Sequence, residues 1–450
     1  MKWEQLLSNK RLGQEKTPHR EDDRSEFQRD FDRLIFSAAF RRLQNKTQVF
    51  PLPGSIFVHN RLTHSLEVSS VGRSLGNDVS RQLLERHPHL QNTHLTEMGS
   101  IVSAACLAHD LGNPPFGHSG ERAIGSYFSE GNGQKYETYF CDETGDSLTP
   151  EQWQDLVHFE GNANAFRLLT HHFVGRREGG FVMTYSTLAS IVKYPYPSNQ
   201  AGKKGKFGFF QAEQADFHKI AQELGIKKIH APHGGEQYAR YPLVYLVEAA
   251  DDICYQIMDI EDAHKLKILT TVETQKLLIN FFDESHQEEI RIRLATLDDT
   301  NEQVVYLRSI VIGLLENECV RVFVENEEAI LDGSFQGNLI DHISPLPRQA
   351  YKACVETAVA KIYHARMVVD IEIAGHKVIT QLLDLMLDAV THSERTYSKI
   401  LINRVSTQYD IKATTLYERI LAVLDYISGM TDVFALDLYR KINGMSLATV

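Results

Sequence analysis

The stretch LAHDLGNPPFGHSGERA, residues 107–123, sets His109, Asp110, His118 and Glu121 around a bend punctuated by Gly112, Pro114, Pro115 and Gly117. Imidazole nitrogen and carboxylate oxygen are donors for divalent ions. His109 and Asp110 close the apolar run IVSAACLA, and a backbone turning at a helix end lets two such neighbours converge on one ion. His118 and Glu121 stand three apart, a spacing at which a helix brings carboxylate to imidazole. The carboxylate would fix the tautomer and raise the histidine pKa, which suits proton delivery to a leaving oxygen. Further along, YLVEAADDICYQIMDIEDA (245–263) puts Asp251, Tyr255 and Asp259 on one helical face, flanked by Leu246, Val247, Ala249, Ala250, Ile253 and Ile257. A carboxylate row in so apolar a helix is costly unless it is paired, hydrogen bonded or bound to metal. Salt bridges to Arg41, Arg42 or Arg61 are the competing explanation.

The elements that must position these groups read as helices. EFQRDFDRLIFSAAFRRLQ (26–44) carries Phe27, Phe31, Leu34, Ile35, Ala38 and Ala39 on one stripe, the pattern of a half-buried helix. Similar stripes cover 64–85, 98–109, 240–263, 304–325, 349–366 and 377–390, whereas strand-like alternation is scarce and 184–192 is ambiguous. The expected fold is all-α. A Pro/Gly loop over 48–64 delivers His64 to a helix start. A second, YPYPSNQAGKKGKFGFF (194–210), carries Lys203, Lys204 and Lys206, and a loop of that length in a compact domain is often functional. The polar stretch 129–155 reads as a surface insertion. The expected organisation is an N-terminal arm (1–25), a core (26–268) containing that insertion and the basic loop 195–208, and a C-terminal helical region (269–450).

An apolar fraction of 42% and a charged fraction of 24% are those of a folded globular chain, which excludes disorder as the default. No run of about 18 apolar residues indicates a membrane span, and Met1 to Lys10 lacks the apolar core of a secretion signal, so a cytoplasmic location is expected. Five dispersed cysteines without a CxxC pair argue against a disulfide framework or thiolate zinc. The formal net charge of −12 disfavours general attraction to polyanions. A phosphate-rich substrate would therefore need local cations or a metal.

His64, His109-Asp110 and Asp251 resemble the H…HD…D signature of the HD-domain metal-dependent phosphohydrolases, which are helical. The wider set RRLQNKTQVFPL, HNRLTHSLEV, AHDLGNPPFGHSGERA, FEGNANAFRLL, LASIVKYPYP and EAADDICYQIMDIEDA resembles the deoxynucleoside triphosphate triphosphohydrolases, the dGTPase family. A weaker match, IEIAGHKVITQLL (371–383), lies in the C-terminal helices. The resemblance implies an HD helical bundle with added C-terminal helices, and His64, His109, Asp110 and Asp251 as metal ligands. Asp252 is the weaker ligand candidate, because Asp251 is the one four before Tyr255. His118 is the implied general acid or base, oriented by Glu121. The implied reaction splits a dNTP into deoxynucleoside and intact triphosphate and so controls dNTP pools: a metal-activated water attacks the α-phosphorus and His118 protonates the departing 5′ oxygen.

For the substrate, the same reading places Tyr255 beneath the deoxyribose, with no room for a 2′-OH, and gives the 3′-OH to Asp259 and Gln48. Arg61, Lys193 and Lys206 are the triphosphate candidates, with Asn162 near the phosphates. Some members carry a histidine where this chain has Gly161. Two imidazoles and two carboxylates suit Mn, Fe, Co, Ni or Zn better than bare magnesium, while the resemblance adds Mg²⁺ or Mn²⁺ for turnover. It further implies a homo-oligomer, commonly a hexamer, a dNTP activator, base contacts around Glu372, and single-stranded DNA binding, which the acidic charge does not support. The competing functions are another HD phosphohydrolase, such as a nucleotidase or phosphodiesterase, and a catalytically silent nucleotide sensor or nucleic-acid binder. The Tyr255/Asp259/Gln48 set speaks against the first, and retention of all four ligands with His118 and Glu121 against the second.

Overall fold

The computed structural model describes residues 1–15, 23–50, 58–202, 204–230 and 236–446. Part of the N-terminal arm, the tip of the loop before His64 and Lys203 lie outside the described residues. The architecture is all-α, as the periodicity predicts, with helices running from Trp3 to Ile442. Among the described residues, the paired strands are Lys228–His230 and Glu236–Tyr238, antiparallel with Lys228 opposite Tyr238.

Helix boundaries follow local chemistry. The stripe at 26–44 is two helices, Glu26–Ile35 and Ala38–Arg42, because Ser37 is extended and its hydroxyl accepts the Phe40 amide, capping a new start. Asn60 and Thr63 form a reciprocal cap that starts the Arg61–Arg86 helix three residues before His64. The ambiguous 184–192 run is helical over Tyr185–Ile191, opened by Thr184.

One apolar core is built where the Arg61–Arg86, Met98–Ala108, Val244–Lys265 and Thr300–Glu325 helices pack together. The first two are also joined by a hydrogen bond from Ser69 Oγ to the Ser103 carbonyl at 2.9 Å. His64, His109 and Asp251 thereby sit on three mutually packed helices. Leu278, Val311, Phe323 and Leu339 belong to the same core, so the apolar packing does not divide at residue 268.

A second core joins distant parts of the chain. Ile124 and Phe128 of the His118–Ser129 helix pack with Tyr136, Trp153 and Phe159 against Leu383 and Leu387 of the Arg366–Thr391 helix and Leu421 of the Leu416–Ser428 helix. The 129–155 stretch is polar in composition, yet it buries Tyr136, Cys141, Leu148 and Trp153 there. Its few apolar side chains are spaced to face one partner, which composition does not reveal. No helix among the described residues is long and apolar enough to cross a membrane.

Candidate active site

A cavity of about 240 Å³ opens where the bend 109–118 meets the Val244–Lys265 helix. At one end Asp251 Oδ1 lies 3.0 Å from His64 Nε2 and 3.5 Å from His109 Nε2. His109 Nδ1 is 2.6 Å from the Cys106 carbonyl, so Nδ1 carries a proton and Nε2 is turned to the cluster. Donor separations of this size suit one ion with bonds of about 2.0–2.2 Å. The local field also suits a cation. Burial opposes charge on His109, yet Asp110 and Asp251 push its pKa up to about 9. Burial likewise opposes ionisation of Asp251, but His109 and His64 hold its carboxyl well below the usual range.

Asp110, the fourth residue of the expected set, is adjacent but engaged. Its Oδ1 is 3.7 Å from His109 Nε2, and it also accepts a hydrogen bond from the Asn113 amide. Its Oδ2 accepts from Arg61 Nη1 at 2.7 Å. The salt bridge that competes with metal binding in the sequence thus forms at Asp110, with Arg61. Asp251 pairs with the two histidines instead.

The bend places His118 at the first position of the His118–Ser129 helix, facing the cavity. Gly117 before it has φ +59, and a Cβ there would collide with the Arg61 guanidinium, so glycine is required twice over. His118 and Glu121 share no hydrogen bond. Glu121 Oε1 accepts the Gly161 amide at 2.9 Å instead, and a side chain at position 161 would strike that oxygen. The expectation of a raised His118 pKa is overturned accordingly. Loss of hydration and the Arg61 charge pull it below the ordinary histidine value against Asp110. A histidine at position 161 would require the Glu121 and Asn113 side chains to move.

The cavity also carries cations beside the cluster. Arg61 is fully buried, and its Nε and Nη2 have no partner; Gln48 Oε1 is likewise buried and unpartnered. Lys193 and Lys206 line the cavity, held 2.8 Å from Glu248 and 2.5 Å from Glu160 respectively. Asn162 lines it too, donating to Glu160 Oε1 at 2.5 Å. Tyr255 lines it one helical turn after Asp251, on the side away from Glu248, its ring centroid 6.3 Å from that of His64. Asp259 is not brought to the cavity. Its Oδ2 accepts from the Tyr363 hydroxyl at 2.8 Å, one turn beyond Tyr255 and behind it, and this removes it from the expected sugar contacts.

Among the lining residues that escaped sequence reasoning are Asn113, Glu160 and Glu248. Glu248 stands three before Asp251 on one helix face, a signal within reach. Glu160 lies in FEGN itself, and Asn113 is three after Asp110.

A helical fold with two histidines and an aspartate of an H…HD…D pattern gathered at a phosphate-sized, cation-lined cavity defines the class of HD-domain phosphohydrolases, and residues 61–180 match the HD domain family. Residues 342–441 match the phosphohydrolase-associated domain. The chain is 37% identical to a deoxyguanosinetriphosphate triphosphohydrolase-like protein of Pseudomonas aeruginosa, over 99% of each chain. It is 38% identical to one of Synechocystis sp., over 99% of this chain and 100% of the relative. A deoxyguanosinetriphosphate triphosphohydrolase of Yersinia enterocolitica is 30% identical over 92% of this chain and 93% of its own. The chain belongs to the deoxyguanosinetriphosphate triphosphohydrolase and triphosphohydrolase-like family.

Proposed function

We propose that this protein hydrolyses deoxynucleoside triphosphates to deoxynucleoside and inorganic triphosphate. One observation carries the reading: a single cavity gathers the His64/His109/Asp251 cluster, the cations Arg61, Lys193 and Lys206, and Tyr255, and along the Val244–Lys265 helix Asp251 stands between Glu248, which holds Lys193, and Tyr255. That order matches polyphosphate, reacting phosphorus and sugar. His64, His109 and Asp251, joined by Asp110, would hold a divalent ion, with Mg²⁺ or Mn²⁺ the expected choice. When bound, that ion supplies Lewis-acid polarisation of a phosphoryl oxygen and lowers the pKa of a water.

The chain's own residues do the rest. Arg61, with two free N–H groups in a buried setting, clamps a phosphate oxygen while its third group stays on Asp110. His118, open to solvent, takes up a proton from water and passes it to the departing 5′ oxygen. Glu121 acts on this step through the backbone, by pinning Gly161 against the bend. Tyr255 presents its ring to the sugar, and Gln48 offers its unpartnered oxygen to the 3′-OH.

The test incubates purified protein with Mg²⁺ or Mn²⁺ and the four dNTPs, singly and mixed, and identifies the phosphorus product by ³¹P NMR. Intact triphosphate supports the reading, and turnover only in mixtures adds a dNTP activator. Pyrophosphate or orthophosphate as the sole product overturns it in favour of another HD chemistry.

A further inference from the structure

The cavity's cations are not waiting free for an anion: Arg61 is on Asp110, Lys193 on Glu248 and Lys206 on Glu160. The two lysine partners differ from ordinary surface acids. Both carboxylates are nearly fully buried, at 3% side-chain exposure, whereas the lysines they hold are 30% and 35% exposed. The mobile, solvated member of each pair is therefore the cation.

Each carboxylate also has a second donor that does not belong to the lysine. Glu248 Oε2 is bonded by the Arg240 guanidinium, which is fastened in turn to the Gly337 carbonyl at 3.2 Å. Glu160 Oε1 is bonded by the Asn162 side-chain amide and backbone amide, on the oxygen opposite the one that meets Lys206. A lysine leaving Glu248 leaves the carboxylate paired with Arg240, and one leaving Glu160 leaves it held by the two Asn162 donors, which lowers the usual obstacle to breaking a buried pair.

Building on the proposed triphosphohydrolase reading, we infer that Glu248 and Glu160 are exchange partners for the polyphosphate: each lends its lysine to an incoming phosphate and reclaims it as triphosphate leaves. The two acids set how long the product stays. They are positioning residues, acting through Lys193 and Lys206. In Coulombic terms the phosphate must out-compete a fixed carboxylate for each ammonium, and the carboxylates left behind repel the bound anion. The cavity gives up affinity for the polyphosphate end common to substrate and product, and gains release.

The test titrates inorganic tripolyphosphate calorimetrically into the metal-loaded protein, comparing wild type with Glu248→Gln, Glu160→Gln, Lys193→Met and Lys206→Met, and records dNTP products alongside. The expected result is roughly tenfold tighter tripolyphosphate for each Glu→Gln change, and weaker binding for each Lys→Met change. In turnover, the glutamine variants should show stronger inhibition by tripolyphosphate and a lower KM. The two glutamine variants are independent, so misfolding of one leaves the other to decide. Equal or weaker binding in a folded glutamine variant, with wild type cleaving dNTPs to triphosphate, overturns the exchange and makes the acids mere props for the lysines. A wild type that neither binds tripolyphosphate nor releases it from dNTPs overturns the functional reading itself.

Discussion

The carboxylate of Asp432 accepts the backbone amide of Phe116 on one oxygen, at 2.9 Å, and that of Thr47 on the other, at 2.8 Å. One side chain at the start of the Asp432–Ile442 helix thus ties together the two segments that carry His118 and Gln48. Lys46 reinforces the tie, its buried ammonium donating to the carbonyls of Asn113 and Ser428. The C-terminal helices form the floor beneath the bend.

Asp432→Ala removes an ionised acceptor shared by two amides. Hydrogen bonds to charged groups contribute about 1.5–3 kcal/mol each, so a loss of about 3–6 kcal/mol in unfolding free energy is expected, read by denaturant titration. Because His64, His109 and Asp251 lie on other helices, metal content should stay at the wild-type level while kcat falls.

Asp251→Ala and His118→Ala should separate the two ends of the chemistry. The first removes the carboxylate that both ligand histidines face, and elemental analysis should find the metal gone together with all turnover. The second should retain metal and lose about 10²–10⁴-fold in kcat, the usual contribution of a proton-transfer group. Equal metal loss in both would assign His118 to the ligand set.

Tyr255→Ala enlarges the middle of the cavity, beside His64. If the ring excludes a 2′-OH by contact, the ratio of kcat/KM for deoxy- over ribonucleoside triphosphate should fall by at least about tenfold, which corresponds to 1.4 kcal/mol of discrimination. An unchanged ratio would remove Tyr255 from the sugar site.

Asp155 carries a pH signature away from the metal end. It is fully buried, accepts from Ser198 Oγ, the Gln211 amide and the Tyr417 hydroxyl, and anchors the basic loop to the C-terminal helices. Burial pushes its pKa up to about 6 despite those donors. The folded state therefore holds the proton more tightly than the unfolded state, whose carboxyl titrates near 3.9, and stability falls as pH rises between about 4 and 6. Comparing wild type with Asp155→Asn by thermal unfolding should show this decline reduced in the variant, by on the order of 3 kcal/mol across the window.

What the sequence disclosed follows from distance along the chain. His64, His109 and Asp251 were legible through the resemblance to the H…HD…D signature, to which periodicity added that Asp251 stands in an apolar helix where an acid demands a partner. Glu121 was misjudged because its three-residue spacing from His118 permits a contact without requiring one, and the nearby Gly161 amide offers a better donor. Asp259 followed the stripe but turned towards Tyr363, a residue 104 positions away. Glu248 and Glu160 resemble ordinary helix and loop charges until their lysines are seen across the cavity. The break at Ser37 was hidden because apolar spacing continued through it while the cap ended the helix.

The bond between Phe116 and Asp432 spans 316 residues of chain, and the second core joins segments nearly as remote. Translation adds roughly 5–20 residues per second, so a growing chain that has already made all four candidate ligands waits about 9–36 s for Asp432. During that interval the helices bearing His64, His109 and Asp251 can pack, while the loop that presents His118 has nothing beneath it. The loop that presents His118 is thus the last part of the candidate site to gain its support on the ribosome.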